Sequence, residues 1–247
     1  MTGTPPADSA GIPWQGRRLT PQPFAGDDGR PDPGLVAALA AVDAGDGTLA
    51  DVVAALGPAR LLVPLVAVVG DEHPLPTHQR GDLGADLALV TLTLRDQRRV
   101  LPVFSSVETL TRWDPAARPV PVESGRAAQA AVAEDCEDLL LDAAGPVALT
   151  VPRPAVWALG AGRPWTPPAL DGELRAALEA AVRPVPDVHR LDLEPYGDAG
   201  VRVEIYVTAG LSRAELDAVV HAVRALVSEV ELVAERVNAL QLRVLPA

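Results

Sequence analysis

Lysine is absent from this chain, and all of its 21 basic residues are arginines. Three kinds of chemistry depend on a lysine side chain: Schiff-base catalysis, phosphate binding by a P-loop and the nucleotide site of protein kinases. The sequence therefore excludes all three in their usual forms. Arginine in place of lysine, together with abundant alanine, glycine and proline, indicates the codon bias of a GC-rich genome rather than selection for a function.

Cysteine and aromatic residues are scarce. The one cysteine, Cys136, excludes an internal disulfide framework and is typical of a reducing compartment. Its neighbours Asp135, Glu137 and Asp138 are predicted to raise the pKa of the thiol and to make it a poor nucleophile. We interpret Cys136 as a small structural side chain. Aromatic residues make up only 3% of the chain, so the core is predicted to consist of Ala, Val and Leu.

A basic surface and a long apolar segment are also missing. The formal net charge is -12, which repels phosphate groups, so we expect no sequence-independent nucleic-acid binding and no binding to anionic membranes. The longest apolar run, residues 61–69, is far shorter than the ~20 residues of a transmembrane helix. The N-terminal segment has neither the basic region nor the apolar region of a signal peptide. The sequence predicts a cytoplasmic protein.

Turn signals and hydrophobic periods divide the chain into a tail and two units. Residues 1–31 are rich in Pro, Gly and Asp and are predicted to be a disordered tail. An α+β domain is predicted over residues 32–163, because helical periods alternate there with short β-branched runs. Its predicted strands include an antiparallel hairpin formed by residues 88–94 and 100–104. Pro64 interrupts the first strand, which predicts an edge position or a bulge.

A second unit follows a proline-rich linker, which is predicted over residues 164–170. Residues 171–247 show the order α-β-β-α-β, with residues 230–233 as a further candidate strand. This order predicts an antiparallel sheet with its helices packed on one face. The fold class is therefore predicted as α+β, with two small sandwich units that contain mainly antiparallel sheets and follow a disordered tail.

Four segments of the first unit carry a resemblance to a known family. They are Arg60-Leu-Leu-Val-Pro-Leu65, Val100-Leu-Pro-Val-Phe-Ser-Ser-Val-Glu108, Leu110-Thr-Arg-Trp113 and Leu139-Leu-Leu-Asp-Ala-Ala-Gly-Pro146. In order and spacing they resemble the N-terminal domain of the bacterial SseB family, over about residues 34–163. The C-terminal unit resembles the second domain of such proteins, most closely in residues 200–207 and the helix that follows. The lysine-free composition suggests an actinobacterial member.

The resemblance implies an α+β fold and no defined enzymatic activity. Some sulfurtransferases share the SseB label, but their chemistry needs a nucleophilic cysteine in a rhodanese loop. Cys136 is in no such loop, so we do not assign sulfur transfer to this chain.

No segment has a complete catalytic or metal-binding pattern. Ser105 and Ser106 follow a strand, but the Gly-x-Ser-x-Gly frame of a nucleophile elbow is missing. Ser105 with Glu108 is therefore interpreted as a helix capping box. His73 and His78 lie in a loop with two carboxylates, which gives too few ligands at an unsuitable spacing for a metal site. We expect no catalytic residue, no cofactor and no metal.

Three tryptophans lie near arginines and form the candidate partner or ligand surface. The residues of this surface are Arg112, Trp113, Arg153, Trp157, Arg163 and Trp165. Arginine beside tryptophan is the composition of binding hot spots. In a chain so poor in aromatic residues, the same side chains are also suited to anchor the core. The sequence leaves both interpretations open, and core packing is favoured.

The missing catalytic frames and the acidic charge predict a non-enzymatic protein-binding or regulatory module. Its partner would be another protein or a second copy of the chain. The alternative is a sensing module that holds a small, amino-acid-like metabolite near residues 160–168. A large apolar surface patch would favour the first function, and a deep pocket with converging arginines and serines would favour the second. An enzyme would need His73, His78 or His221 in a cleft beside a nucleophile.

Overall fold

The structure confirms the α+β prediction. It is a computed structural model that describes residues 24–67, 87–197 and 199–247. The predicted tail up to residue 23 and the loop with His73 and His78 lie outside the described residues. Within them the chain forms two separate main hydrophobic cores, of which the first extends to Trp165 and the second begins at Ala169.

The first unit packs helices on both faces of its central strand. Its helices are α1 (Pro33–Ala44), α2 (Leu49–Leu56), α3 (Val107–Trp113), α4 (Ser124–Ala133) and α5 (Arg153–Gly160). Its strands are β1 (Arg60–Ala67), β2 (Leu87–Leu89), β3 (Leu92–Thr93), β4 (Arg99–Val103), β5 (Arg118–Glu123), β6 (Asp138–Leu141) and β7 (Leu149–Val151). Leu61 and Val63 contribute to the core under α1, α2, α4 and α5. Because side chains alternate along a strand, Leu62 points the other way and packs with Phe104 and with Leu110 of α3.

The strands of this unit form two small sheets that meet between β1 and β4. One sheet has the order β2-β1-β5 and antiparallel pairs. The other has the order β3-β4-β6-β7, in which β4 and β6 are parallel and the other pairs are antiparallel. Leu62 and Phe104 join the sheets by two backbone hydrogen bonds of 2.8 and 2.9 Å. The predicted hairpin is confirmed only for its inner part, the β3–β4 pair in which Thr93 lies opposite Arg99. Residues 87–89 form β2 instead and pair with β1.

Pro64 lies in a central strand, so the prediction of an edge position or a bulge is wrong. β1 has β2 on one side and β5 on the other, and its register with β5 continues without a shift through Pro64. Residues two apart in a strand face the same side, so the nitrogen of Pro64 faces the side on which Leu62 meets Phe104. On that side the pair with β2 begins only at Leu65. The position that lacks a backbone N–H therefore lies between the hydrogen bonds of Leu62 to Phe104 and the start of the pair with β2, so no ladder hydrogen bond is lost there.

Two further prolines protect the outer edge of β5. Because Leu62 faces β4, its neighbours Leu61 and Val63 face β5 and form hydrogen-bonded pairs with Val122 and Val120. The alternating residues Pro119 and Pro121 therefore have their backbone nitrogens on the outer edge of the sheet. A proline has no N–H to donate to an added strand. This edge thus resists pairing with the edge of another molecule.

We expect that replacing both edge prolines by threonine creates a strand edge that self-associates. The double variant Pro119→Thr/Pro121→Thr restores two outward N–H donors and keeps the β-strand propensity high. Sedimentation velocity at increasing protein concentration should show larger species than the unsubstituted protein forms. Val120→Thr is the matched control, since the N–H of residue 120 already points to β1. Equal sedimentation of the double variant and the control would contradict the protective role of the prolines.

The second unit is a three-stranded sheet with helices on one face. Its elements are a short 3-10 helix (Pro168–Leu170), α6 (Gly172–Val182), β8 (Val188–Tyr196), β9 (Gly200–Val207), α7 (Arg213–Ser228), α8 (Glu231–Arg236) and β10 (Leu240–Pro246). β8 and β9 are antiparallel, but β10 is parallel to β9, so the antiparallel prediction is wrong for this strand. The reason is that α7 and α8 form a crossover connection, which returns the chain to the end of the sheet where β9 begins. β10 therefore runs in the same direction as β9. The candidate strand at residues 230–233 is not formed, because residues 231–233 lie in α8.

Residues 24–31, which were assigned to a disordered tail, are instead held against the first unit. Arg60 Nε lies 2.6 Å from Asp27 Oδ2, and both side chains are 14% exposed. The backbone nitrogen of Val107 donates to the carbonyl oxygen of Gly29 at 2.9 Å. Gly29 has a φ of 75°, and a Cβ there would lie 2.6 Å from Val107 Cγ2, so this close approach requires glycine. The sequence missed the anchor because Asp27 and Arg60 are 33 residues apart.

Candidate functional site

A buried carboxylate from the end of β6 holds the turn between β4 and α3. Asp142 accepts hydrogen bonds from the backbone nitrogen of Ser105 (2.8 Å), from Ser105 Oγ (2.6 Å) and from Thr109 Oγ1 (2.7 Å). All three residues are buried. β4 and β6 are parallel neighbours, so their carboxyl ends lie together and bring Ser105 beside Asp142. The two hydrogen bonds from Ser105 to Asp142 therefore fix the turn that leads from β4 into α3.

The capping box of α3 lies one residue later than predicted. Ser106 is the capping residue, and its Oγ accepts a hydrogen bond of 3.1 Å from the backbone nitrogen of Thr109. The predicted partner Glu108 instead forms an exposed ion pair with Arg112 at 2.8 Å. Ser105 does not cap the helix because Asp142 binds both its hydroxyl and its backbone nitrogen.

A second buried carboxylate lies at the start of β6. Asp138 forms an ion pair with Arg98 and accepts a hydrogen bond of 3.0 Å from the backbone nitrogen of Arg153. Its side chain is only 1% exposed. Burial raises the pKa of the Asp138 carboxyl above its ordinary value, while the charge of Arg98 acts in the opposite direction. Asp138 thus ties the turn before β4 to the first residue of α5.

The structure divides the six predicted surface residues between two places. Trp113 is half-buried on α3, where its ring centroid lies 5.3 Å from that of Phe104 and it packs against the small cluster around Leu62. It is therefore an anchor of the core. Arg112 is exposed and pairs with Glu108. α3 lies on the opposite face of β1 from the core that contains α5, so these two residues are separated from the other four.

The other place is the contact between α5 and the second unit. Trp157 of α5 is 39% exposed, and the guanidinium carbon of Arg153 lies 4.9 Å from its ring centroid. Arg153 also donates to the carbonyl oxygen of Ala234 in α8 at 3.3 Å. Arg163 Nη2 lies 3.4 Å from Glu235 Oε1 in the same helix. We call these contacts of Arg153 and Arg163 with α8 the α5–α8 contact.

A pocket opens beside this contact. It has a volume of about 630 Å³, within the usual range of small-molecule sites of about 300–1,000 Å³. Its walls include Phe24, Val53, Leu159 and Trp165, and its charged residues are Arg60, Glu123 and Arg163. The indole nitrogen of Trp165 is buried and has no hydrogen-bond partner among the described residues. We call this cavity the linker pocket, because Arg163 and Trp165 lie in the segment that connects α5 with the 3-10 helix of the second unit.

Sequence reasoning found Arg163 and Trp165 but missed the acidic residues beside them. Glu123 reaches the pocket because β5 places it opposite Arg60 of β1. Glu235 reaches Arg163 because residues 231–236 form a helix, whereas residues 230–233 were predicted as a strand. A period of four between Glu231 and Glu235, which is typical of an exposed helix face, is the signal that could have indicated this helix.

Among the described residues, Cys136 lies between α4 and β6, His189 in β8 and His221 in α7. Cys136 is buried, and burial raises the pKa of its thiol, so the predicted direction is confirmed. Arg99 acts in the opposite direction, and of the predicted neighbours Asp135 contributes, together with Glu134, whereas Glu137 and Asp138 do not. His189 and His221 are exposed, and His189 Nε2 lies 2.9 Å from Thr208 Oγ1. In residues 24–67, 87–197 and 199–247, no group of three or more His, Cys, Asp and Glu side chains is placed to hold a metal ion.

The Asp142 cluster lies on segments that carry the family resemblance, with Ser105 in residues 100–108 and Asp142 in residues 139–146. A family model described as the SseB protein N-terminal domain matches residues 35–158. The chain belongs to the SseB family. No curated protein and no solved structure matches it. The SseB domain defined by this match contains Ser105, Asp142 and Trp157, whereas Arg163 and Trp165 follow it.

The described residues contain no helix with the length and apolar character that crossing a bilayer requires.

Proposed function

We propose that this SseB family protein is a non-enzymatic, cytoplasmic regulatory module that binds another protein through the surface around Trp157. The observation that carries the proposal is the exposure of Trp157, 39%, in a chain whose aromatic residues amount to only 3%. Arg153 lies against its ring at 4.9 Å. An exposed tryptophan beside an arginine is the combination that most often dominates the energy of a protein interface.

The surroundings of Trp157 support a binding role rather than a packing role. On either side of it in the sequence, Val156 is fully buried and Ala158 is 9% exposed, so α5 is already anchored without the indole ring. Arg153 keeps its position by donating to Ala234, and it therefore presents a fixed cation–π pair to the solvent. A partner would bury an aromatic surface whose orientation is set in advance, which lowers the entropy lost on binding.

Affinity capture with matched variants tests this proposal. The tagged protein is captured from a lysate of its own host, and the bound proteins are identified by mass spectrometry. We expect a stoichiometric partner that Trp157→Ala loses by at least tenfold, since a hot-spot residue contributes about 2 kcal/mol or more. Tyr196→Ala is the control because Tyr196 is also 36% exposed and has Arg202 at 5.7 Å.

Three outcomes would contradict the proposal. Capture of the same partner at equal yield by Trp157→Ala would remove Trp157 from the interface. Capture of nothing, with the protein folded and soluble, would contradict a stable partner. Capture of the untagged form of the same chain alone would show that the surface serves self-association instead.

The second candidate function is a sensing module for a small metabolite, and the linker pocket favours it. This pocket lies next to residues 160–168 and brings Arg163 and Trp165 to one cavity. It contains two arginines and no serine among its lining residues. Of the features that would favour a ligand site, arginine side chains are therefore present and serine is not. A thermal-shift screen of metabolites against the intact chain tests this function independently of any protein partner.

We further infer that residues 171–247 are the C-terminal domain of an SseB protein and that the chain is of actinobacterial origin. The first inference is supported by the separate core of this unit, which begins at Ala169. The second is supported by the absence of lysine among 21 basic residues. A family-wide alignment in which no relative extends past residue 170 would contradict the first inference. A set of most similar sequences that all come from outside the actinobacteria would contradict the second.

A further inference from the structure

The charged residues of the linker pocket differ in how strongly they are already bound. Arg60 is fully engaged: its guanidinium binds both carboxylate oxygens of Asp27 and donates to the carbonyl oxygens of Arg30 and Ser105. Arg163 has one partner, Glu235, at 3.4 Å, and the two side chains are 62% and 38% exposed. Exposed pairs of this kind contribute only about 0–1 kcal/mol. Arg163 is therefore the pocket cation that a ligand can recruit.

A carboxylate of the same pocket, Glu123, has no partner among the described residues. It is exposed at the end of β5, and within residues 24–67, 87–197 and 199–247 its side chain forms no hydrogen bond and no ion pair. In this part of the chain the pocket thus presents one weakly bound cation and one unpaired carboxylate. Its remaining walls, including Phe24, Val53, Leu159 and Trp165, are apolar. This combination suits a ligand that carries both charges on a small head and has an apolar body.

We propose that the linker pocket binds a zwitterionic amino acid with an apolar side chain. Arg163 receives the carboxylate through the two parallel N–H groups of its guanidinium, and Glu123 receives the ammonium group. The apolar side chain packs among Phe24, Val53 and Trp165. This proposal rests on the sensing function given above as the second candidate, and it is independent of the protein partner at Trp157.

The ligand and Glu235 compete for Arg163. A carboxylate held bidentately by Arg163 takes the position of the single contact of 3.4 Å to Glu235. Since this contact joins the segment after α5 to α8, binding of the amino acid weakens the α5–α8 contact. The pocket therefore couples the presence of a ligand to the contact between the SseB domain and the second unit.

Calorimetric titration of the intact chain with L-leucine and L-phenylalanine tests the site. We expect at least one of them to bind, and its analogues without the ammonium or without the carboxylate to bind at least tenfold more weakly. For leucine these analogues are 4-methylpentanoate and 3-methylbutylamine. Arg163→Gln is expected to weaken binding at least tenfold, because a hydrogen-bonded charge is lost from the site. No heat from either amino acid at about 10 mM would overturn the proposal.

Glu235→Gln provides the outcome that a merely structural role of Arg163 would not produce. Removing the competing carboxylate leaves Arg163 in place, so affinity for the amino acid should rise by about two- to fivefold, which corresponds to the free energy of a measurable exposed ion pair. Both substitutions affect exposed side chains, and equal melting temperatures confirm that the chain stays folded. Unchanged or weaker binding by Glu235→Gln would overturn the competition. The protein-partner proposal stands or falls separately, on capture by Trp157→Ala.

Discussion

Replacing Asp142 by alanine is expected to lower the free energy of unfolding by about 3–5 kcal/mol. The substitution leaves the backbone nitrogen and the hydroxyl of Ser105 without their acceptor in a buried place, whereas Thr109 Oγ1 can still donate to the carbonyl oxygen of Ser106 at 3.1 Å. Each buried donor without a partner costs about 1–3 kcal/mol. Alanine is also disfavoured at the φ of 50° that Asp142 adopts, by about 1–2 kcal/mol. Urea denaturation followed by circular dichroism measures the loss.

Two further variants at this position separate the hydrogen bonds from the backbone conformation. Asp142→Asn keeps one carbonyl oxygen for Ser105 and Thr109, and its amide can donate to Ser105 Oγ, so we expect a loss of about 1 kcal/mol. Asparagine also accepts a positive φ. Asp142→Gly removes every side-chain hydrogen bond but relieves the backbone, so it should lie between asparagine and alanine. A loss below about 1 kcal/mol for alanine would show that Asp142 does not hold the β4–α3 turn.

The elements of this fold that depend on neighbouring residues could be predicted from the sequence. The capping box of Ser212 and Glu215 is present at the start of α7, because capping joins residues only three apart. The β3–β4 hairpin also forms within the segment where the pattern predicts a hairpin. In each case the signal and its structural consequence lie within one turn or one hairpin, so a single sequence contains the information.

The features that the sequence did not predict depend on which distant elements become neighbours. Ser105 and Asp142 are 37 residues apart, and only the parallel pairing of β4 and β6 joins them. The same holds for Pro64. Its strand β1 is central because β2 and β5, which both follow β1 in the sequence, lie on its two sides. Local spacing assigned Ser105 to a cap and Pro64 to an edge because each assignment is the commoner local solution.

The candidate site also combines features that the sequence could indicate with features that depend on which distant elements become neighbours. Composition alone selected the tryptophans and their neighbouring arginines, but it could not separate Trp113, which packs on Phe104, from the exposed Trp157. The acidic residues that complete the linker pocket and the α5–α8 contact, Glu123 and Glu235, have no distinguishing feature in a chain with 33 acidic residues. A pocket assembled from several elements has no sequence motif unless the chemistry demands one.

Removing the charge of Arg98 is expected to destabilise the protein by about 2–3 kcal/mol at neutral pH. In Arg98→Met the buried carboxylate of Asp138 loses its ion pair and keeps only the backbone N–H of Arg153 as a partner. Removing one partner of a fully buried pair costs about 3–5 kcal/mol, and we expect less here because Arg98 is 35% exposed and water can approach. Asp96→Asn, which removes the exposed partner of Arg98, is the control and should cost under about 1 kcal/mol.

The loss in Arg98→Met should shrink as the solution is acidified. Burial already raises the pKa of Asp138 in the folded chain, and without the opposing charge of Arg98 the pKa rises further. The folded state then binds more protons than the unfolded state between the ordinary and the raised pKa, so stability falls as the pH rises through this window. Below the ordinary pKa of aspartate the carboxyl is neutral in both states, and no uncompensated charge remains.

Denaturation of both proteins at several pH values, together with the double variant Arg98→Met/Asp138→Asn, decides the origin of the loss. Asparagine at position 138 can still accept from the N–H of Arg153 but carries no charge. If the buried charge causes the loss, the double variant recovers more than half of it at neutral pH and its remaining deficit no longer depends on acidification. If instead the lost packing of the Arg98 side chain causes it, the deficit of Arg98→Met stays constant with pH and the double variant recovers nothing.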